Sequence, residues 1–424
     1  MYKSVFRPSM LKKSLFVNKI RGLTSVTQNI SLKGIFSLIL VVLMLNISTQ
    51  VNAQHNELSL SEFTRIIPKA ETHIHFSALI YPDLALKLAK KNNVELSYST
   101  PSELITDKTW TVSPFNAPSD ELWGGYFQRL AEFQSVIKTS DDVKEVVVEW
   151  ARRSGIVSNV KYAEIHIPYP NASTALDIDL DSYFEGFKLA REQIKEDYGI
   201  DLRYVGETYI LSHDVINAAK KEVETYGKYK EETAIVGISI LSIFPDITDV
   251  KPVLDLARSL GFKAPMHLGN RAFSPDKKEL VKPMWDAIDI LHIDRIDHGY
   301  FASFDLELVD HIADKKIPMT NCPHVIVGKF VFPKGDIAPT FTWDNFPFKL
   351  FYEHDVVASL HTDTPAMGSS YTLAEVYEEV VDQYDYDKED VIVWAENSFR
   401  SALISDSEMK KYLKELKDWV YKNN

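Results

Sequence analysis

The chain has 424 residues, 45% of them hydrophobic and 25% charged, an ordinary globular composition with enough apolar material for a large core. Its formal net charge of −13 argues against nucleic acid or an anionic membrane surface as a partner. A single cysteine, Cys322, excludes an intrachain disulfide.

The N-terminus reads as a targeting segment. Lys3, Arg7, Lys12, Lys13, Lys19, Arg21 and Lys33 occur with no acidic residue, and a nearly continuous apolar run from Ile35 to Ile47 follows. Val51-Asn52-Ala53 then supplies a small-residue cleavage pattern. This order predicts a secretory signal peptide over residues 1–53 with a long basic lead, and the apolar run is short for a membrane span. The expectation is a secreted or periplasmic protein, or a membrane-anchored one if the signal is retained. Residues 54–424 contain no fixed-period repeat, low-complexity tract or Gly/Ser linker and read as one domain.

The first element of that domain is Pro68-Lys69-Ala70-Glu71-Thr72-His73-Ile74-His75. On a β-strand, residues i and i+2 share a face, so His73 and His75 can present two imidazoles to one point, which is half of a metal site. Helical spacing follows over Asp83 to Asn92, then a loop-rich stretch, then helices over Glu121 to Gln134 and Ser140 to Ser154. The second opens on Ser140 and Asp141 as capping candidates. Trp110, Phe115, Trp123 and Phe127 fall in this long first connection, which is read as a helical insertion where a lid could form.

From there, short β-branched or aromatic runs alternate with helical stretches: Lys161 to Tyr169, Leu202 to Ile210, Ala234 to Ile243, Lys263 to Gly269, Arg295 to Gly299, Ile317 to Cys322 and Val356 to Thr362. With the run ending at His75 that makes about eight strands, which predicts an α/β fold with a single (β/α)8 TIM-type barrel. An open, doubly wound sheet is the rival topology. The barrel demands reactive residues at strand C-terminal ends. His73 and His75, His267, His298 and Asp363 all fall there. Three imidazoles and a carboxylate suit one divalent ion of intermediate softness, zinc first, with room for a water whose proton a nearby carboxylate can take.

These motifs resemble those of the adenosine deaminase family within the metal-dependent amidohydrolases. Pro68 to His75 is similar to the family's opening metal motif, and Met266-His267-Leu268-Gly269 to its third-histidine strand. Arg295-Ile296-Asp297-His298-Gly299-Tyr300 resembles the strand bearing its catalytic histidine, and Asn321-Cys322-Pro323 and Ser359 to Pro365 its last two strand ends. The resemblance implies that His73, His75, His267 and Asp363 bind zinc, that His298 orients and polarises the attacking water, and that Asp363 also accepts a proton.

The same resemblance exposes departures. Where the family carries His-x-Gly-Glu, with a glutamate that protonates a purine nitrogen, this chain has His267-Leu268-Gly269-Asn270, and an amide has no proton to give. Thr364 replaces the family's second aspartate, and Ser77 the aspartate that contacts the sugar. The family's Gly-Asp-Glu signature has no counterpart in Gly237-Ile238-Ser239-Ile240-Leu241-Ser242. Ser77, Gly269, Thr364, His361 and His166 are the expected substrate-binding positions, with Asn270 in the place of the acid; Glu207 and His324 are further pocket candidates. His361 is included because it precedes Asp363 by two residues on a presumed strand. The leading expectation is a zinc-dependent hydrolytic deaminase acting on a nucleoside or related amine-bearing heterocycle. The alternatives are a hydrolase of an amide, ester or lactone on the same scaffold, or a weakly catalytic zinc protein that binds a ligand. In each case the partner is a small molecule.

Overall fold

Eight strands pair in parallel and in chain order: β1 Lys69–His75, β2 Val160–Pro168, β3 Asp201–Ile210, β4 Ile235–Ser242, β5 Pro265–Leu268, β6 Arg295–His298, β7 Met319–Asn321 and β8 Ala358–Leu360. The order β1-β2-β3-β4-β5-β6-β7-β8 in a single sheet is that of a barrel, not of a doubly wound sheet. Closure comes from a parallel bridge between Ile74 and Asp363, with His75 N–H donating to the Asp363 carbonyl at 3.0 Å and Asp363 N–H to the His73 carbonyl at 3.0 Å. The residue that joins last strand to first is therefore itself a candidate site residue.

This computed structural model describes residues 58–106, 130–170, 175–210, 215–242, 246–270, 274–327, 341–366 and 370–423. The expected signal peptide, residues 1–53, and the aromatics Trp110, Phe115, Trp123 and Phe127 of the expected insertion lie outside the described residues.

Helices fill the connections for local reasons. Pro82–Asn92 opens on a proline at its first turn, where no backbone donor is needed, and stops at Asn93 in the left-handed conformation (φ 54°). Ser140–Trp150 is capped one residue earlier than its sequence suggests. Thr139, not Ser140 or Asp141, is the N-cap, and its capping box is completed by Asp142. Leu180–Tyr198 starts on the Asp179 cap and ends at Gly199 with φ 71°.

The barrel interior holds a buried ion-pair cluster. Arg295, fully buried, donates from Nε to Asp297 Oδ1 at 2.7 Å and from Nη1 to Glu164 Oε2 at 2.6 Å and to the Ser401 carbonyl at 3.0 Å. Both carboxylates are fully buried, and Tyr162 adds a hydrogen bond of 2.7 Å to Glu164. Such a pair contributes little net stability over an apolar core, but removing one partner strands charge in a dry interior. Arg295→Met is therefore expected to cost about 3–5 kcal/mol of unfolding free energy, read from the urea midpoint at unchanged m-value.

Candidate metal centre and active site

Strand ends deliver the expected side chains to one place. His73 and His75 lie on β1, His267 on β5 and His298 at the last position of β6, and all four rings pack together: His73 lies 5.3 Å from His75, 4.8 Å from His267 and 4.5 Å from His298 by ring centroid. Strand alternation alone would send Asp297 and His298 to opposite faces. His298 escapes that rule by adopting φ 78°, so both side chains reach the interior. Asp363 likewise has φ 61°. Such conformations cost a non-glycine residue roughly 1–3 kcal/mol and persist where the surroundings over-determine them, typically at functional sites. Gly269 (φ 69°) turns the chain after His267, and a Cβ there would meet Met284 Sδ at 2.8 Å and the Gly299 backbone at 3.1 Å.

Three of these rings have Nε2 within 4.0 Å of the Asp363 carboxylate. Its Oδ1 is 3.4 Å from His75 Nε2, and its Oδ2 is 4.0 Å from His73 Nε2 and 3.7 Å from His298 Nε2. His267 Nε2 lies 3.2 Å from His75 Nε2. Atoms bound about 2.0–2.1 Å from one tetrahedral zinc lie roughly 3.3–3.4 Å from one another; His75 Nε2 to Asp363 and to His267 are close to that spacing and His73 to Asp363 is longer, and these four residues could hold a single ion. His73 Nε2 supports the fit: it is buried and has no hydrogen-bond partner among the described residues.

On the far side of each ring, Nδ1 is occupied. Glu207 Oε1 lies 2.6 Å from His75 Nδ1, Ser239 Oγ 2.9 Å from His267 Nδ1, and Thr320 Oγ1 2.7 Å from His73 Nδ1. Partners of this kind orient metal-ligating imidazoles. None of the three stands in a motif, and only Glu207 was a candidate from sequence, as a pocket residue. The alternation of β3 and β4 could have placed Glu207 and Ser239 inward, but nothing in the chain pairs them with β1 and β5 before the barrel closes.

Two groupings have donor atoms within 4.8 Å of one another and divide these ligands between them: His73, His298, Cys322 and Asp363, and His75, His166, Glu207 and His267. Chemistry disfavours both. Burial pushes the Cys322 thiol well above its ordinary range, so a cation would have to displace a proton from it to gain a thiolate ligand. His166 Nε2 faces Arg295 Nη2 at 3.3 Å, and a guanidinium can only donate, so its proton sits on Nδ1 toward Glu207 Oε1, 3.7 Å away.

Burial, reinforced by the neighbouring imidazoles, holds His73 well below the usual histidine range. Burial also opposes the charged form of His75, but the Glu207 and Asp363 carboxylates outweigh it and push that ring up to about 9.

Other expected pocket residues are placed differently. His361 is fully buried and both ring nitrogens are spent: Thr72 N–H donates to Nδ1 at 3.1 Å, and Nε2 lies 2.8 Å from Ser359 Oγ. It clasps β8 to β1 and does not line a pocket, because the left-handed turn at Asp363 breaks the alternation that pairs them. His166 is also fully buried, in register with His75 and against Arg295, so it underlies the histidines and offers no pocket surface. His324 is buried with Nε2 2.7 Å from Glu379 and its ring 4.6 Å from that of Tyr371. Ser77 accepts a hydrogen bond from Gln134 Nε2 at 2.6 Å, and Thr364 Oγ1 lies 3.4 Å from the Tyr371 hydroxyl. Asn270 is half-buried in the bend after β5.

A sequence model of the adenosine deaminase family matches residues 68–419. The chain belongs to the adenosine deaminase family. It is thereby a metal-dependent, deaminase-like hydrolase. The adenine deaminase of Psychrobacter cryohalolentis is 25% identical over 348 residues, 82% of this chain and 96% of that protein. The crystal structure of an adenine deaminase from Arthrobacter aurescens superposes with a TM-score of 0.68 at 22% identity, covering 84% of this chain and 99% of that one. A Burkholderia ambifaria amidohydrolase solved with bound Zn gives 0.68 at 17% identity, covering 88% of this chain and 97% of that one. At these identities the two structures speak for the fold alone.

Purified protein of this family is expected to carry about one equivalent of divalent metal, and chelation to lower its melting temperature. Elemental analysis checks this: less than about half an equivalent, with no gain on adding zinc, counts against the donor set.

Proposed function

We propose that this member of the family is a zinc-dependent hydrolytic deaminase acting on an amine-bearing heterocycle, a purine base or nucleoside first. The observation that carries the reading is the gathering of His73 and His75 Nε2 about the Asp363 carboxylate beside His298, with His267 Nε2 against His75 Nε2. The four donors would hold the ion, which when bound acidifies water and polarises the bond to be attacked.

The chain's own groups then handle protons. Tyr300 gives its hydroxyl hydrogen to the Cys322 carbonyl at 3.2 Å and accepts from Cys322 N–H at 3.0 Å. Toward His298 Nδ1, 3.3 Å away, it can therefore only accept. In the neutral ring this puts the proton on Nδ1 and the lone pair on Nε2, the atom 3.7 Å from Asp363 Oδ2. His298 Nε2 and Asp363 Oδ2 are thus the two acceptors for a proton leaving the attacking water. Ser77, Gly269 and Thr364 remain the proposed substrate-facing positions. Asn270 can donate a hydrogen bond to a ring nitrogen but cannot protonate it.

Zinc-loaded protein is expected to release ammonia from at least one member of a panel of purines, pyrimidines and their nucleosides, with His298→Ala lowering kcat by about 10²- to 10⁴-fold. Silence across the panel with full zinc occupancy overturns the deaminase reading. Asn270 favours a second reading, hydrolysis of an amide, ester or lactone whose leaving group needs no ring acid. Asn270→Glu separates the two: restoring the acid is expected to raise deamination, commonly by about 10²-fold or more, whereas no change at intact zinc content points to the second reading.

We also propose export by the N-terminal signal, with Ala53 the last residue removed. Mass analysis of the protein recovered from the producing cell's envelope and medium checks this, a mature N-terminus near Gln54 being expected; retention of residues 1–53 in a membrane fraction favours an anchor.

A further inference from the structure

We propose that Thr320 and Asp297 are a positioning pair that fixes His73 with its proton on Nδ1 and reserves its Nε2 lone pair for a divalent cation. The inference rests on the metal site proposed above and adds residues that no motif assigns to it. Both side chains are fully buried, Asp297 on β6 and Thr320 on β7, and the two residues are register partners.

The argument follows the hydrogens. Arg295 Nε donates to Asp297 Oδ1 at 2.7 Å, and a guanidinium has no acceptor, so that oxygen accepts. Thr320 donates its one hydroxyl hydrogen to the same oxygen at 2.9 Å. With that hydrogen committed, Thr320 Oγ1 can only accept from His73 Nδ1, 2.7 Å away. A neutral imidazole that donates from Nδ1 carries its lone pair on Nε2. In His73 that atom is buried, lacks a hydrogen-bond partner among the described residues, and lies 4.0 Å from Asp363 Oδ2. The chain from Arg295 through Asp297 and Thr320 to His73 therefore has one direction. Reversing it would leave Asp297 Oδ1 without the hydroxyl hydrogen and His73 with a proton where the cation must bind.

Asp297 reaches a second ring. Its Oδ2 has no hydrogen-bond partner among the described residues and lies 3.7 Å from His267 Nδ1, which also meets Ser239 Oγ. A carboxylate oxygen on that side favours an Nδ1 proton on His267 as well, leaving its Nε2 to face His75 Nε2 at 3.2 Å.

The test is metal affinity in the full-length chain, not turnover. Metal-free protein is titrated with Co²⁺ and with Zn²⁺ against a competing chelator, and the cobalt visible band is recorded. Thr320→Val is expected to weaken both ions by about 10- to 100-fold and to shift the band, while Thr320→Ser, which keeps the hydroxyl, stays close to wild type. Thr320→Ala carries the same expectation should the valine variant not fold. Asp297→Asn is expected to weaken binding in the wild-type background and by less in the Thr320→Val background, because its route to His73 is already broken. A purely structural role predicts otherwise: a lower melting temperature for the metal-free variants with wild-type affinity and band. That outcome, or equal costs of Asp297→Asn in both backgrounds, overturns the positioning pair while the metal site stands. If the wild-type chain takes up neither ion, the metal site and the pair fall together.

Discussion

Crowding of imidazoles is the constraint on which this site depends. His73, His75, His166, His267 and His298 pack with ring centroids 4.5–5.4 Å apart in the pairs that touch His73. They cannot all be charged, and in a dry barrel each neutral ring must be told which nitrogen keeps the proton. Burial holds His73 and His166 well below the usual range, and buried acceptors on the Nδ1 side decide the orientation. The result is a cluster of Nε2 atoms beside one carboxylate in which the buried His73 Nε2 has no hydrogen-bond partner among the described residues, an arrangement that a cation would relieve.

Backbone geometry serves the same end. His298 and Asp363 leave ordinary strand conformation just where each strand ends, and Asp363 also supplies the bridge that closes the barrel. The closing contact and the proposed metal-binding carboxylate are thus one residue, which ties the position of the carboxylate to the integrity of the sheet. The buried cluster of Arg295, Glu164 and Asp297 anchors the interior. Its net contribution to stability is small by the usual balance of desolvation against Coulomb energy, so positioning is the better account of its presence.

The departures from the family's purine-contacting pattern gain meaning beside this. Where the family's Gly-Asp-Glu signature is missing, Ser239 still reaches His267, so the β4 strand retains a part in the site with a neutral group. The half of the site that would hold metal is complete, and the half that would protonate a heterocycle has an amide at Asn270.

Much of this was legible in the chain itself. Alternating β-branched runs and helical stretches place all eight strands within a few residues, because strand and helix periodicity are local properties. His73, His75, His267, His298 and Asp363 were legible because a barrel gathers strand ends whatever its loops do. What the sequence could not decide is which side chains meet across strands far apart in the chain. His361 was expected in the pocket by counting two residues back from Asp363, and the left-handed turn at Asp363 invalidates the count. His166 lies beneath the site because its register with His75 and its contact with Arg295 exist only in the closed sheet. Thr320, Asp297 and Ser239 carry no local signature as partners of histidines, since a hydroxyl or carboxylate on a strand acquires its partner only when neighbouring strands fix register and distance. Periodicity and motif spacing therefore determine the barrel and the histidines and aspartate gathered at its strand ends; the tertiary structure alone decides the direction of each hydrogen bond beneath them.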